Sequence, residues 1–362
     1  MTDRQQAIQE LDRYAKMAIR HSHDQYGKHG TLHDVARRGF SASDVWFKPW
    51  VPADFDIGNP YTHPVYASFS EEQKLAWNHL QWGLEYTVVG QGERQIITLN
   101  KYAVQQYRHI LPSVVDLEDR ESFEEIDHLA AFQVGLDALH ERYLPHLPSA
   151  LWSIPASGFR SNDLNKLMRS VLGRIANRLL GSNFPTLFFL TRGMKTHNFK
   201  PFENGIAQFK EGPQGVSRVS HLHRLDESRH MATALHIARL SNTILDTLNW
   251  ESQTLFKAAI HAAWPKARQA EYRITYWKTA LYQANIFAHI SQEDKNSLFQ
   301  HISHNITNNL QNLHERQTRL TRQANKKIVE LAGLSPELKR CFVETLRKDP
   351  IHANLVDTVL VQ

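Results

Sequence analysis

Residues 221–230 read HLHRLDESRH. This stretch places His223, Glu227 and His230 four and three residues apart, so in an α-helix all three side chains leave from one face. The same face continues through apolar residues, namely Val216, Val219, Ala234 and Ile237. Such a face is expected to turn inward. Because imidazole and carboxylate groups are costly to bury unless something satisfies them, the spacing favours a bound metal ion over a metal-free hydrogen-bonded network.

A second motif of the same kind lies in the segment FEEIDHLAAF, where Glu125 and His128 are three residues apart. Its helical face continues through apolar residues, namely Leu129, Phe132, Leu136 and Leu139. A carboxylate and an imidazole at this spacing converge on one point beside the helix. Two facing helices of this kind hold two metal ions in di-metal carboxylate bundles, which take one further Glu from each of two other helices. The pair of motifs therefore predicts a di-metal site.

The helix that begins near residue 70 is expected to supply one of the further carboxylates. Glu93 is favoured because it shares a face with Trp82 and Tyr86. Glu85 is the rival, and its own helical neighbours are less consistently apolar.

Capping residues, prolines and glycines divide the chain into predicted helices. Ser70 and Gln73 match a capping box, so a helix is expected to start there and to run to about residue 110, where Pro112 stops it. The first 40 residues read as a charged helix followed by a loop at Gly27 and Gly30, and a turn is expected at Pro201, Asn204 and Gly205. Further helices are predicted at residues 118–143, 162–180, 185–199, 214–247, 251–263, 266–289, 293–332 and 335–347.

No alternating strand pattern of useful length occurs, so the predicted fold is all-α and built around a helical bundle. We expect a single domain in three parts. Residues 1–69 would form an N-terminal helix and an irregular packed segment, residues 70–250 the bundle core with the di-metal site, and residues 251–362 helices packed on that core.

Composition excludes several classes of protein. No apolar run reaches the length of a membrane helix, and the charged N-terminus lacks the apolar core of a signal peptide. The single cysteine, Cys341, excludes an internal disulfide and is typical of a reducing compartment. The 42 basic residues face 37 acidic ones, and the excess is spread along the chain. We expect a cytoplasmic protein that binds neither membranes nor nucleic acid.

Three segments together resemble the p-aminobenzoate N-oxygenase family, over roughly residues 70–240. They are NHLQWGLEYTVVGQGERQIITLNKYA, FEEIDHLAAF and HLHRLDESRHMATA. The resemblance implies a ferritin-like bundle with additional N- and C-terminal helices and a non-haem di-iron site. It also implies an oxidative enzyme that N-oxygenates an amine to a hydroxylamine, nitroso or nitro product with dioxygen, in secondary metabolism.

The resemblance implies a set of ligands as well. Glu93 and His128 would bind one iron, His223 and His230 the second, and Glu125 and Glu227 would bridge the two. Asp226 would orient a ligand histidine.

One expected ligand is missing from the sequence. The family places a carboxylate on the third bundle helix, at a position that Thr196 occupies here, and no Asp or Glu occurs from Leu164 to Phe202. His197, Glu203 or a water molecule could take its place, and His197 is slightly favoured.

The remaining functional expectations concern substrate and partners. Electrons would come from an external donor, because no flavin or nicotinamide motif is visible. The substrate would be a small or carrier-bound amine, with Arg192 as a candidate anchor for a carboxylate and Tyr86 as a candidate pocket residue. The resemblance implies a homodimer. The alternatives are C–H hydroxylation or desaturation at the same site, or a non-enzymatic ferritin-like metal-binding protein.

Overall fold

The computed structural model describes residues 2–56, 58–147, 183–245 and 266–308. Within these ranges every regular element is helical and no strand occurs, which confirms the all-α prediction. The helices are α1 (Asp3–His29), α2 (Leu32–Phe40), α3 (Pro64–Ala67), α4 (Glu71–Ala103), α5 (Pro112–Tyr143), α6 (Asn183–Ala207), α7 (Gln214–Leu245), α8 (Lys266–Gln283) and α9 (292–308). Short 3-10 turns lie at Val45–Phe47, Ala53–Phe55, Pro60–Thr62, Val104–Tyr107 and Asn285–Phe287.

The N-terminal 40 residues contain two helices, whereas the sequence predicted one helix and a loop. Helix α1 ends at Gly30, whose φ of 76° lies in the left-handed region that glycine tolerates. Helix α2 starts directly afterwards, because the Thr31 side chain accepts a hydrogen bond from the backbone N–H of Asp34. Glycine therefore marks a sharp break between helices here.

The predicted start of α4 is confirmed in detail. Ser70 caps the helix, and both hydrogen bonds of the capping box with Gln73 are present. Helix α5 begins at Pro112, earlier than predicted, because proline fits the first turn of a helix, where its missing N–H costs nothing. It ends at Tyr143, before Pro145, as expected.

Helix α6 extends further than the sequence predicted. It continues through Pro201, Asn204 and Gly205 to Ala207, so the turn predicted there is wrong. Phe202 and Ile206 are buried in this last stretch, and their burial stabilises a helical turn that the local sequence disfavours. The helices predicted at 162–180, 251–263 and 335–347 lie outside the described residues, as does the part of the 293–332 helix beyond residue 308.

The helices pair as two hairpins, α4 with α5 and α6 with α7, while α1 and α2 lie against α5 and α7. Consecutive helices joined by short connections are antiparallel neighbours. Helix α2 meets α7 at glycines, where a Cβ added to Gly215 would stand 2.3 Å from the Cα of Gly39. No helix in the described ranges combines the length and the apolar character needed to span a bilayer.

Two apolar clusters fill the interior of the part of the chain that the structure describes. One contains Trp82, Phe132 and Leu222, and the other contains Leu117 and Ile237. Following α5 or α7 along its axis, the buried face passes from one cluster to the other through a stretch of buried charged residues. A polar layer therefore crosses the bundle between two apolar clusters.

Candidate metal centre

One group of possible metal ligands lies on the side of the polar layer that faces the Trp82 cluster. It consists of Glu93 from α4, His128 from α5, and His223 and Glu227 from α7, and the four ligand atoms all lie within 4.8 Å of one another. His223 Nε2 is 2.8 Å from Glu93 Oε1, and His128 Nδ1 is 3.8 Å from the same oxygen. Side chains from three helices thus meet at one point.

A second group adjoins the first. Glu125, Glu227 and His230 place one ligand atom each within 4.8 Å of the others. His230 Nδ1 is 3.0 Å from Glu227 Oε1 and 3.2 Å from Glu125 Oε1. Glu227 belongs to both groups, so its carboxylate can serve two ions at once.

The two groups bring together the six side chains that the sequence singled out with most support, which are Glu93, Glu125, His128, His223, Glu227 and His230. Their division differs from the one that the resemblance implied, because His223 lies with Glu93 and His128 and not with His230. The rival candidate Glu85 lies elsewhere, where Arg273 Nη2 donates to it at 2.7 Å.

Each of the three histidines presents one ring nitrogen to these groups and turns the other towards a carboxylate. The three contacts are His128 Nε2 to Asp226 Oδ2 at 3.2 Å, His223 Nδ1 to Glu203 Oε1 at 2.6 Å, and His230 Nε2 to Glu124 Oε2 at 2.7 Å. Such partners fix the tautomer and orientation of a metal-binding imidazole and raise its basicity. All three rings are therefore held ready for metal binding.

The position of Glu203 differs from the one that the sequence suggested. The sequence offered it as a substitute for the missing carboxylate ligand, whereas the structure sets it on the far nitrogen of His223. Glu124 was not anticipated at all, because its neighbour Glu125 already filled the motif. The resemblance implied an orienting role for Asp226, and its contact with His128 is compatible with that prediction.

Helix α1 supports two of these outer carboxylates. Ser22 Oγ makes a short hydrogen bond to Glu124, and Gln25 Nε2 donates to Asp226 Oδ1 at 2.7 Å. Arg229 Nη2 contacts both, at 2.6 Å from Glu124 and 3.0 Å from Asp226. The N-terminal helix thus takes part in positioning the histidines.

The electrostatics of the two groups fit divalent cations. Glu93 is buried and its Oε2 has no hydrogen-bond partner in the described structure, and burial raises the pKa of this carboxyl to about 7. Although burial opposes its protonation, the carboxylates of Asp226 and Glu125 raise the pKa of His128 to about 10. A site that holds protons this strongly accepts metal ions in exchange for them. Imidazole and carboxylate together suit iron and similar transition metals, so the residues present fit a two-metal site.

Arg192 of α6 lies beside the second group. Its guanidinium is buried and contacts three carboxylates of α5, with Nη1 at 3.0 Å from Glu118 and 2.7 Å from Glu121, and Nη2 at 3.0 Å from Glu125. Arg192 is thus a partner of carboxylates of the site itself, and its role as a substrate anchor stays a prediction. The side chains of Thr196 and His197 lie outside the described part of α6, so the contribution of His197 also stays a prediction.

Tyr86 lies at the other end of the site. It is fully buried, and its hydroxyl donates to Glu203 Oε1 at 3.1 Å and lies 2.5 Å from Ser220 Oγ. It therefore touches the carboxylate that holds His223. A contact with substrate stays a prediction.

Residues 15–138 match the model of the CylC-like acyl halogenase family. The CylC-like family is of the non-haem di-iron, ferritin-like type, the type that the sequence predicted, but it is not the p-aminobenzoate N-oxygenase family. The matched residues include Glu93, Glu125 and His128, and they end before α7. No curated protein and no solved structure matches the chain.

The contact between Glu203 and His223 leads to a first prediction. Replacing Glu203 with glutamine keeps the shape of the side chain but removes its charge, so His223 becomes a weaker ligand. We expect the affinity for the first metal ion to fall by about 10- to 100-fold, measured by titration with ferrous iron against a competing chelator. Glu211→Gln, at an exposed position shortly before α7, is the matched control. Equal affinities in the two variants would contradict a positioning role for Glu203.

Proposed function

We propose that the protein is a di-iron oxidative enzyme that halogenates a carbon of an acyl substrate. The observation that carries the proposal is the pair of ligand groups that share Glu227. The match of residues 15–138 to the CylC-like acyl halogenases supports the choice of halogenation among the reactions open to such a site. Three of the candidate ligands, Glu93, Glu125 and His128, lie within the matched residues.

The proposed reaction balances with dioxygen and an external reductant. A C–H bond of the acyl chain breaks and a carbon–halogen bond forms, which releases one proton and two electrons from the substrate and halide. Dioxygen takes these electrons and two more from the reductant, and with four protons it becomes two molecules of water. Two bound irons would supply the redox chemistry that activates dioxygen.

The protein's own side chains have separate tasks in this scheme. Glu93, His128 and His223 would hold one iron, Glu125 and His230 the other, and Glu227 would contact both. The apolar clusters on either side of the polar layer exclude water from it. The carboxylates that contact the outer nitrogens of the three histidines would keep the imidazole rings in a fixed orientation during turnover.

N-oxygenation of an amine is the second candidate, and a specific observation favours it. The H-x-x-x-E-x-x-H motif is the feature that most resembles the N-oxygenases, and its first histidine lies at the site, with His223 Nε2 2.8 Å from Glu93. In this reaction one oxygen atom of dioxygen would be inserted into the N–H bond. The other would leave as water, which takes two electrons from the reductant and two protons from solvent.

Product analysis tests the two candidates against each other. The protein is loaded anaerobically with ferrous iron, and its iron content is measured. It is then exposed to dioxygen, a chemical reductant and bromide, with acyl thioesters, free acyl acids and aryl amines as substrates. Mass spectrometry would show the isotope pattern of bromine in an acyl product if halogenation is correct, or an added oxygen on an amine if N-oxygenation is correct.

Two variants serve as controls for this experiment. His223→Ala should lose the product together with about half of the iron, because His223 belongs to one ligand group only. His221→Ala, two residues away on α7 and hydrogen-bonded to Arg224 outside both ligand groups, should keep the product and all of the iron. A wild-type protein that binds no iron, or that binds iron but consumes no dioxygen with any reductant, would contradict the proposed function.

A further inference from the structure

A row of four aromatic side chains leads from the surface towards the candidate metal centre. The ring centroids of Trp46 and Trp50 are 5.1 Å apart, those of Trp50 and Trp82 are 5.5 Å apart, and those of Trp82 and Tyr86 are 4.3 Å apart. At these separations successive rings are in van der Waals contact. The row is therefore a continuous path of π-systems through the Trp82 cluster.

The inner end of the row reaches a candidate ligand through one hydrogen-bonded group. Tyr86 donates to Glu203 Oε1 at 3.1 Å, and the same oxygen lies 2.6 Å from His223 Nδ1. A second contact runs through Phe132, whose ring centroid is 4.7 Å from that of Tyr86 and 4.9 Å from that of His223. Tyr86 is thus the innermost residue of the row and stands next to the site.

The outer end of the row opens to solvent. Trp46 is only partly buried and lines a surface recess of about 400 Å³ with Phe40 and Arg142. The Arg142 guanidinium lies 4.8 Å above the Trp46 ring. Trp50 and Trp82 are fully buried. Of the four aromatic residues, only Trp46 can meet a molecule in solution.

The indole N–H groups of the row differ in a way that suits electron transfer. Trp50 Nε1 donates to the backbone oxygen of Val45 at 2.7 Å, whereas Trp82 Nε1 has no acceptor in the described structure. An oxidised Trp82 would therefore keep its proton and remain a strongly oxidising cation. It would take an electron from a neighbouring ring rather than persist as a neutral radical.

We propose that Trp46, Trp50, Trp82 and Tyr86 form an electron relay between a one-electron reductant in solution and the metal centre. The proposal rests on the proposed function, because that reaction consumes two electrons from outside. Once dioxygen has oxidised the centre, Tyr86 gives it one electron, and the phenolic proton passes along the hydrogen bond to Glu203. Trp82, Trp50 and Trp46 then each pass one electron inward, and the reductant restores Trp46. Tyr86 recovers its proton from Glu203, so each cycle moves one electron and leaves the row unchanged.

The first test uses the metal-free full chain and a photo-oxidant. A flash-excited ruthenium polypyridyl complex with a sacrificial quencher withdraws electrons at the surface, and electron paramagnetic resonance detects the radical that remains. We expect a tyrosyl signal in the wild type that disappears in Tyr86→Phe, and that is also lost in Trp82→Phe and Trp50→Phe, because phenylalanine is too hard to oxidise to pass a charge on. Trp277→Phe is the matched control, since Trp277 stacks on Trp77 at 3.9 Å outside the row.

The second test uses the iron-loaded protein after exposure to dioxygen and measures the rate at which a one-electron donor in solution removes the Tyr86 radical, followed by electron paramagnetic resonance. Trp82→Phe should slow this removal by more than an order of magnitude with iron content unchanged, and Trp277→Phe should not. A Tyr86-dependent signal that survives in Trp82→Phe or in Trp50→Phe, or that is absent from the wild type, would overturn the relay. A wild-type protein that binds no iron would instead contradict the proposed function, and the metal-free test would still decide the relay.

Discussion

Replacing Glu227 with alanine is expected to abolish binding of both metal ions. Glu227 is the one residue that belongs to both ligand groups, so its loss removes a ligand from each of them. It also removes the contact at 3.0 Å that helps to orient His230. We expect about two irons per chain in the wild type, as in other bundles with this ligand plan, and almost none in Glu227→Ala. Elemental analysis after anaerobic reconstitution measures both values.

Two further variants make this result specific. His230→Ala removes a ligand from the second group only, so roughly half of the iron should remain, in line with one ion for each group. Glu211→Ala changes an exposed glutamate shortly before α7 and should leave the iron content unchanged. If Glu227→Ala retained as much iron as His230→Ala, Glu227 would not be shared. Helical circular dichroism equal to that of the wild type would show that the loss is not due to unfolding.

The motif residues that sequence reasoning found have partners on the same helix. Helical spacing alone places Glu125 beside His128 and Glu227 beside His230, and an apolar face around each pair shows that it turns inward. Glu93 could be chosen over Glu85 on the same basis. Its contact with His223, and that of Glu85 with Arg273, now show where each carboxylate lies.

What the sequence left out depends on contacts between helices. Glu124 follows no spacing rule with His230, since the two are brought together only by the packing of α5 against α7. The same holds for Glu203 and His223, which come from α6 and α7. A signal was nevertheless present, because Glu124 and Glu125 are adjacent at the head of the E-x-x-H motif. Adjacent carboxylates point in different directions from a helix, so one could bind metal while the other held a ligand.

The helix boundaries show a similar limit. Pro112 was read as a stop, yet it is the first residue of α5, and Pro201 was read as a turn, yet it lies inside α6. Proline excludes a backbone hydrogen bond wherever it stands, but only the neighbouring turns decide whether that loss ends a helix or starts one. In α6 the burial of Phe202 and Ile206 stabilises the turn that follows Pro201, so the helix continues.

Arg192 is the second residue whose replacement should have a large effect, this time on stability. Its guanidinium is the cation nearest to three buried glutamates of α5, which are Glu118, Glu121 and Glu125. Removing one partner of a buried ion pair leaves uncompensated charge and costs about 3–5 kcal/mol. We therefore expect Arg192→Met to lower the free energy of unfolding of the metal-free protein by that amount, measured by urea denaturation. Arg239→Met, which breaks a half-exposed pair with Glu10, should cost no more than about 1 kcal/mol.

The loss of stability in Arg192→Met is expected to depend on pH. Burial and then the charge of Glu121 raise the pKa of Glu118 to about 8 even with Arg192 present, from its ordinary value of 4.5. Because the folded protein holds this proton more tightly than the unfolded chain, the associated stability is complete below the ordinary pKa and is lost as the pH rises through about 8. Without Arg192, ionised Glu118 has no cation beside it, so the free energy of unfolding falls further as the pH rises. Arg192→Met should therefore be least stable at mildly alkaline pH and should regain part of its stability at mildly acidic pH.

Adding Glu118→Gln to the variant should restore stability at alkaline pH, since it removes one of the uncompensated charges. A penalty that stayed the same across this range, or that grew towards acid, would show that Arg192 acts through packing and not through its charge.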